Sequence, residues 1–93
     1  MIRSYRDKNT RAVAERRRVR KLPENMQRRA QVKLMVLNSA MNLVDLQVPP
    51  GNRLKALSGD RAGQYSIRIN DQWRICFKWR DGDAFDVEIV DYH

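Results

Sequence analysis

The feature that most constrains this chain is a change of hydrophobic period at Pro49-Pro50-Gly51. Before it, Met26, Ala30, Leu34, Leu37 and Met41 recur at three- and four-residue intervals, the spacing that aligns side chains on one face of an α-helix. After it the period is two. Tyr65, Ile67 and Ile69 alternate with Gln64, Ser66 and Arg68; Trp73, Ile75, Phe77 and Trp79 alternate with Arg74, Cys76, Lys78 and Arg80; Phe85, Val87 and Ile89 are interleaved with Asp86 and Glu88. The paired prolines stop the helix and begin a rigid turn. Turns at Ser58-Gly59-Asp60, Gly63 and Asp81-Gly82-Asp83 divide the second half, which is predicted to be a short strand over 53–57 and then a three-stranded meander.

The first half is predicted to hold the helices. Met1 to Tyr5 suits an edge strand, and Asn9-Thr10 offers a cap for a weakly patterned helix through Glu15. Arg16 to Lys21 packs five like charges into six positions, which disfavours a helix and suggests a mobile connector. Pro23 suits the opening of the main helix, with Glu24 near its positive end. The methionines, Trp73 and Trp79 read as core, and Gly59 and Gly63 as turn residues.

A chain of 93 residues supports one modest core, so a single domain spanning 1–93 is expected. No apolar run approaches the roughly 20 residues that cross a bilayer, and the start lacks a signal-like h-region, so a soluble cytoplasmic protein is expected. The one cysteine, Cys76, has no internal disulfide partner, and no cysteine or histidine cluster has metal-ligand spacing. Neither metal nor cofactor is expected.

The net charge of +8 is unevenly distributed, because residues 1–33 carry 12 Lys/Arg against 3 acids and residues 34–93 carry 7 against 8. Positive charge clustered in this way suits a phosphate backbone or an acidic partner surface. Arg17 and Arg18 are its centre and are candidate RNA contacts. In the second half, placing apolar residues of neighbouring strands on one face pairs Ile67 with Ile75 and Ile75 with Ile89. Arg68 then opposes Arg74, and Arg74 opposes Val90. Two arginines directly across a strand pair repel, which suggests an anion such as phosphate between them. Asp91-Tyr92-His93 begins one residue beyond that row, and Lys78 faces Asp86 as a cross-strand ion pair.

The segments 53–63 (Arg53-Leu54-Lys55-Ala56-Leu57-Ser58-Gly59-Asp60-Arg61-Ala62-Gly63), Tyr65-Ser66-Ile67 and Asn70-Asp71-Gln72-Trp73-Arg74-Ile75, with the ending Asp91-Tyr92-His93, strongly resemble toxins of the HigB branch of the RelE/ParE superfamily. The resemblance implies a compact α+β fold, with an N-terminal strand and two helices packed on a mostly antiparallel sheet. It also implies a ribosome-dependent endonuclease that cuts mRNA in the 30S A site, neutralised by a HigA-like helix-turn-helix antitoxin through which alone the complex binds operator DNA. The family's active residues carry over onto Arg74, Asp91, Tyr92 and His93. Family members place histidine where Lys55 stands and lysine where Ser58 stands, so this chain departs at those two positions.

Metal-free RNA cleavage needs a base for the 2′-hydroxyl, a stabiliser of phosphorane charge and an acid for the 5′-oxygen. Arg74 suits the second role because its planar guanidinium holds two phosphate oxygens. His93, the only histidine, suits either proton transfer. Asp91 is a candidate to orient it or act as base, Tyr92 to stack on a base or bond the 2′-hydroxyl, and Lys55 to assist. Arg53, Ser58 and Arg68 are further candidate RNA contacts, and Arg61 is assigned to clamping its loop through backbone carbonyls. Two other classes fit the charge or the fold: a ParE-like toxin of DNA gyrase, which lacks the nuclease residues, and a non-catalytic RNA- or ribosome-binding module.

Overall fold

A computed structural model describes residues 1–92. Helix α1 (Lys8–Ala14) and helix α2 (Glu24–Ser39) precede a four-stranded antiparallel sheet, β1 (Lys55–Ala56), β2 (Gln64–Arg68), β3 (Trp73–Arg80) and β4 (Asp83–Asp91), whose spatial order is the chain order. Beyond β4 the N-terminal segment runs parallel to it through bridges at Ile2–Ala84 and Tyr5–Val87. The sheet is therefore mixed at that edge, as the α+β expectation had it.

Helix α1 is capped by Asp7, whose carboxylate accepts from the Thr10 amide at 2.6 Å, rather than by Asn9-Thr10. Thr10 is instead buried, and its hydroxyl accepts from the Ile89 amide at 2.9 Å, tying the helix to β4. The basic connector that follows is held more firmly than its charge suggests. Val19 joins the core, and the buried Gln27 side chain accepts from the Val19 amide at 3.0 Å and donates to the carbonyls of Val19 and Leu22, both at 2.7 Å.

Helix α2 buries Met26, Ala30, Leu34 and Leu37 against the sheet, but it ends at Ser39, so Met41 falls outside the helical face and is 78% exposed. Two short 3₁₀ turns, Leu43–Gln47 and Pro50–Asn52, carry the chain back to the sheet. The fully buried Asn52 fastens this loop by donating to the carbonyls of Leu46 and Val48, both at 3.2 Å. Only Lys55 and Ala56 pair as β1, because Arg53 adopts a left-handed conformation (φ 44°) that an extended strand over 53–57 does not allow.

The register has Ile67 opposite Ile75, Ile75 opposite Ile89, Arg68 opposite Arg74 and Arg74 opposite Val90. Alternation fails once. A bulge between Cys76 and Lys78, with Asp86 at φ 52°, turns Ala84 into the core and Phe85 to the other face, where Arg80 lies 4.8 Å over its ring. Lys78 still reaches Asp86 at 3.4 Å. At the β3–β4 turn, Gly82 has φ 80°, and a Cβ there would come within 3.2 Å of the Met41 carbonyl. The helix-facing side of the sheet thus carries the apolar core, with Phe77 and Val87 fully buried and Trp73 and Trp79 packed against it. The other side carries the row Lys55, Ser66, Cys76, Glu88 and beside it the row Arg68, Arg74, Val90.

Candidate active site

Arg74 is the centre of that second face. Its Nε donates to Ser66 Oγ at 2.7 Å, and its Nη2 donates to the Arg53 carbonyl at 2.6 Å and to the Ser66 carbonyl at 3.4 Å. Among the described residues these contacts use one edge of the guanidinium and leave Nη1 for a ligand. Burial lowers the guanidinium's pKa, a pull that nearby Arg68 and Arg53 reinforce, yet an arginine stays charged at any working pH. Ser66 reaches Arg74 because it lies two residues along β2 from Arg68, the residue directly opposite Arg74, and is therefore its diagonal neighbour on the same face of the antiparallel pair.

The tail is pinned beside it. The Tyr92 amide donates to the Gln72 carbonyl at 2.7 Å, and Gln72 Nε2 donates to Asp91 Oδ2 at 3.1 Å. Gln72 is itself set by Asn70, whose side-chain oxygen accepts from the amides of Gln72 and Trp73, both at 2.9 Å. So anchored, Tyr92 places its ring 6.0 Å from Arg74 Cζ, at cation–π range. Burial, followed by the neighbouring Cys76, raises the pKa of its hydroxyl, which remains a donor at neutral pH. His93 lies outside the described residues.

Tyr92 also closes one side of a cleft of about 280 Å³ lined by Lys55, Ser58, Asp60 and Arg61. Lys55 and Ser58 are both exposed there. Arg61 clamps side chains rather than backbone carbonyls: its Nη1 donates to Gln64 Oε1 and Glu88 Oε1, both at 3.1 Å. The Cys76 thiol lies buried beneath, its pKa raised by burial.

Arg68, though opposite Arg74 in register, bonds Asp71 at 2.5 Å. The two guanidiniums are each held by the protein rather than facing one shared point. Arg53 contributes its carbonyl to Arg74 and leaves its side chain exposed. Arg17 and Arg18 stand apart, bonding Glu15 at 2.6 Å and approaching Glu24 at 3.9 Å, in a separate cleft with Lys8, Arg20 and Lys21. The fold thus gathers Arg74, Tyr92, Lys55 and Ser58 on one face, sets Asp91 opposite Trp73 at the next position of the strand pair, and leaves the basic connector elsewhere. Sequence reasoning missed Ser66, Gln72 and the Arg61–Glu88 pair. Ser66 was within reach of the register argument, being the small polar residue diagonal to Arg74; Gln72 depended on the unread geometry of the β2–β3 turn. Among the described residues no group of three His, Cys, Asp or Glu side chains is arranged to hold a metal ion.

Residues 3–93 match the model of the HigB-like toxin family, described as the RelE-like toxin HigB of type II toxin–antitoxin systems. The chain belongs to this family. Toxin HigB-1 of Vibrio cholerae is 40% identical over 71 residues, covering 76% of this chain and 75% of that protein. Endoribonuclease HigB of Proteus vulgaris is 30% identical over 93 residues, covering 100% of both chains. Among solved structures, a point mutant of YafQ from E. coli superposes with a TM-score of 0.66 at 13% identity, covering 99% of this chain and 92% of that one. The YoeB–YefM complex from Staphylococcus aureus gives 0.62 at 14% identity over 100% of this chain and 98% of that one. These two likenesses concern the fold alone. As a HigB-like toxin of a type II system, this protein is one component of a pair whose other member is an antitoxin. No helix among the described residues is long and apolar enough to cross a membrane.

Proposed function

We propose that this HigB-like toxin is a metal-independent endoribonuclease that cuts mRNA in the A site of the translating ribosome, acting as a single unit in the cytoplasm. The observation that carries the reading is the juxtaposition of Arg74, buttressed on one edge and open on the other, with the pinned tail Asp91-Tyr92 and the cleft of Lys55 and Ser58. The name of the Proteus vulgaris relative, an endoribonuclease aligned over the full chain, supports it.

In this reading the 2′-hydroxyl of one nucleotide attacks the adjacent phosphate, the bond to the 5′-oxygen breaks, and a 2′,3′-cyclic phosphate is left. One group takes the 2′ proton and another gives a proton to the leaving oxygen. Arg74 Nη1 meets the charge that develops on the phosphorane, in a position fixed beforehand by Ser66 and Arg53, which is where electrostatic preorganisation is most effective. Tyr92 stacks on a base or bonds the 2′-hydroxyl. His93 serves as base or acid, Asp91 orients it or takes the proton itself, and Lys55 supplies further positive charge. Ser58, Arg53 and Arg68 contact the strand near the cut, while Arg17 and Arg18 contact ribosomal RNA. The antitoxin is HigA-like, a helix-turn-helix protein that carries the complex to operator DNA.

The test is a translating extract containing a chelator, with mRNA ends mapped by primer extension. Cuts at codon boundaries that vanish without ribosomes, and that fall about a hundredfold or more in Arg74→Ala or His93→Gln, are expected. Intact mRNA would overturn the nuclease reading, and undiminished cutting of free mRNA would overturn ribosome dependence.

A further inference from the structure

A second cationic site lies around the sheet edge from Arg74. Arg29 and Lys33 are one helical turn apart on α2 and share a cleft of about 330 Å³ with Arg68, Gly51 and Ile69. Lys33 is aimed into place by a rigid acceptor: its ammonium bonds Asn52 Oδ1, and Asn52 is fully buried and held by two carbonyls. That acceptor is neutral, so it fixes the ammonium without cancelling its charge. Among the described residues neither Arg29 nor Lys33 has an ion pair. Burial, and after it the charges of Arg29 and Arg68, lowers the pKa of Lys33. The floor is open, since nothing lies within 4 Å of where a Cβ on Gly51 would stand.

Among the described residues no acid lines the cleft; Arg68 is bonded from outside it by Asp71, whose side chain is 99% exposed, a contact that an incoming anion displaces at little cost. Arg68 joins the two sites, because it lines this cleft and stands directly opposite Arg74 in the β2–β3 register. Cations running from α2 past Gly51 to Arg74 follow the path of a phosphate backbone, and this continuity favours a nucleic-acid strand over an acidic protein segment.

We infer that Arg29, Lys33 and Arg68 form a subsite for a backbone phosphate of the same RNA strand that is cut at Arg74, with Asp71 as the counter-ion which that phosphate replaces. The inference rests on the nuclease reading for the identity of the strand, and its test is separable from that reading. The probe is a fluorescent decamer of 2′-O-methyl RNA, which binds without being cleaved, followed by anisotropy across a salt series.

Losing the contacts to this phosphate in Arg29→Gln/Lys33→Gln should lower the salt slope of log affinity by about 0.7, the single-strand value for one phosphate, and weaken binding by about tenfold at low salt. Asp71→Asn should tighten binding by about threefold, a gain that misfolding does not produce, by removing the carboxylate that competes for Arg68. An unchanged slope and affinity in the double variant would overturn the subsite. So would a double variant that loses binding to a hexaglutamate peptide while holding the decamer as before, since the site would then be one for an acidic protein. If wild-type protein leaves mRNA intact in the extract but the decamer's slope still falls in the double variant, the nuclease reading fails and the phosphate subsite stands.

Discussion

Arg74 and Ser66 meet diagonally across β2 and β3, with Nε donating to Oγ at 2.7 Å and the serine fully buried. The hydroxyl fixes which edge of the guanidinium faces the ligand. Ser66→Ala removes one hydrogen bond to a charged group, a change of about 1.5–3 kcal/mol, so single-turnover mRNA cleavage is expected to fall at least about tenfold. Arg74→Lys keeps the charge but not the fork and should lose more. Cleavage by Ser66→Ala at the wild-type rate would show that the backbone carbonyls of Arg53 and Ser66 suffice to aim Arg74.

Gln72 should act as a positioning residue for the tail. Its side chain holds Asp91 and its carbonyl holds the Tyr92 amide, so Gln72→Ala removes the first contact and spares the second. The expected result is a fall in kcat of about tenfold with little change in thermal stability, because the lost bond is on the surface and small misplacements of reacting groups slow chemistry strongly. Gln72→Glu, which sets a carboxylate against Asp91, should be worse than Ala.

The alkaline limb of stability should report Cys76. Burial raises the pKa of its thiol above the ordinary value, so the unfolded chain loses this proton first as pH rises. The contribution is complete below the unfolded pKa, about 8.5, and is lost as pH climbs through the folded value, at up to about 1.4 kcal/mol per pH unit. Urea titrations at several pH values from 7 to 10 should show a shallower decline for Cys76→Ala than for wild type, whatever its stability at neutral pH. Parallel declines would mean that the thiol does not contribute.

Gln27 should govern the basic connector. It makes three hydrogen bonds to the backbone at Val19 and Leu22, two of them buried, and Gln27→Ala strands those groups at about 1–3 kcal/mol each. Limited trypsin digestion should then cut within 16–21 many times faster than in wild type, since opening that segment no longer breaks these bonds. Phe77→Ala is the comparison for a purely apolar loss: the ring is fully buried, with Tyr65 and Trp79 both at 6.2 Å, and about 3–5 kcal/mol of stability should go by urea denaturation.

The period change at Pro49-Pro50-Gly51 carried the α+β layout, and matching apolar residues across the strands carried the register, because a one-residue slip would turn Ile67, Ile75 or Ile89 away from the core side. That register alone put Arg68 opposite Arg74 and the tail at the end of their row. Local pattern could not see the Asp86 bulge, which moves Phe85 off the core, nor the left-handed Arg53 that cuts β1 to two residues. Both are backbone departures set by neighbouring segments, Ser4 bonding the Asp86 amide in one case and Arg74 drawing on the Arg53 carbonyl in the other.

Sequence by itself determined which residues of this HigB-like toxin share a face, since periodicity is a local property. Tertiary structure decided where each charged group points. Arg74 turns to Ser66 and Arg53, Arg68 turns to Asp71, Lys33 turns to Asn52, and Gln72 holds the tail, each choice made by a partner distant in sequence or fixed by a turn. Long cationic side chains have many rotamers of similar energy, and only the surrounding acceptors select one.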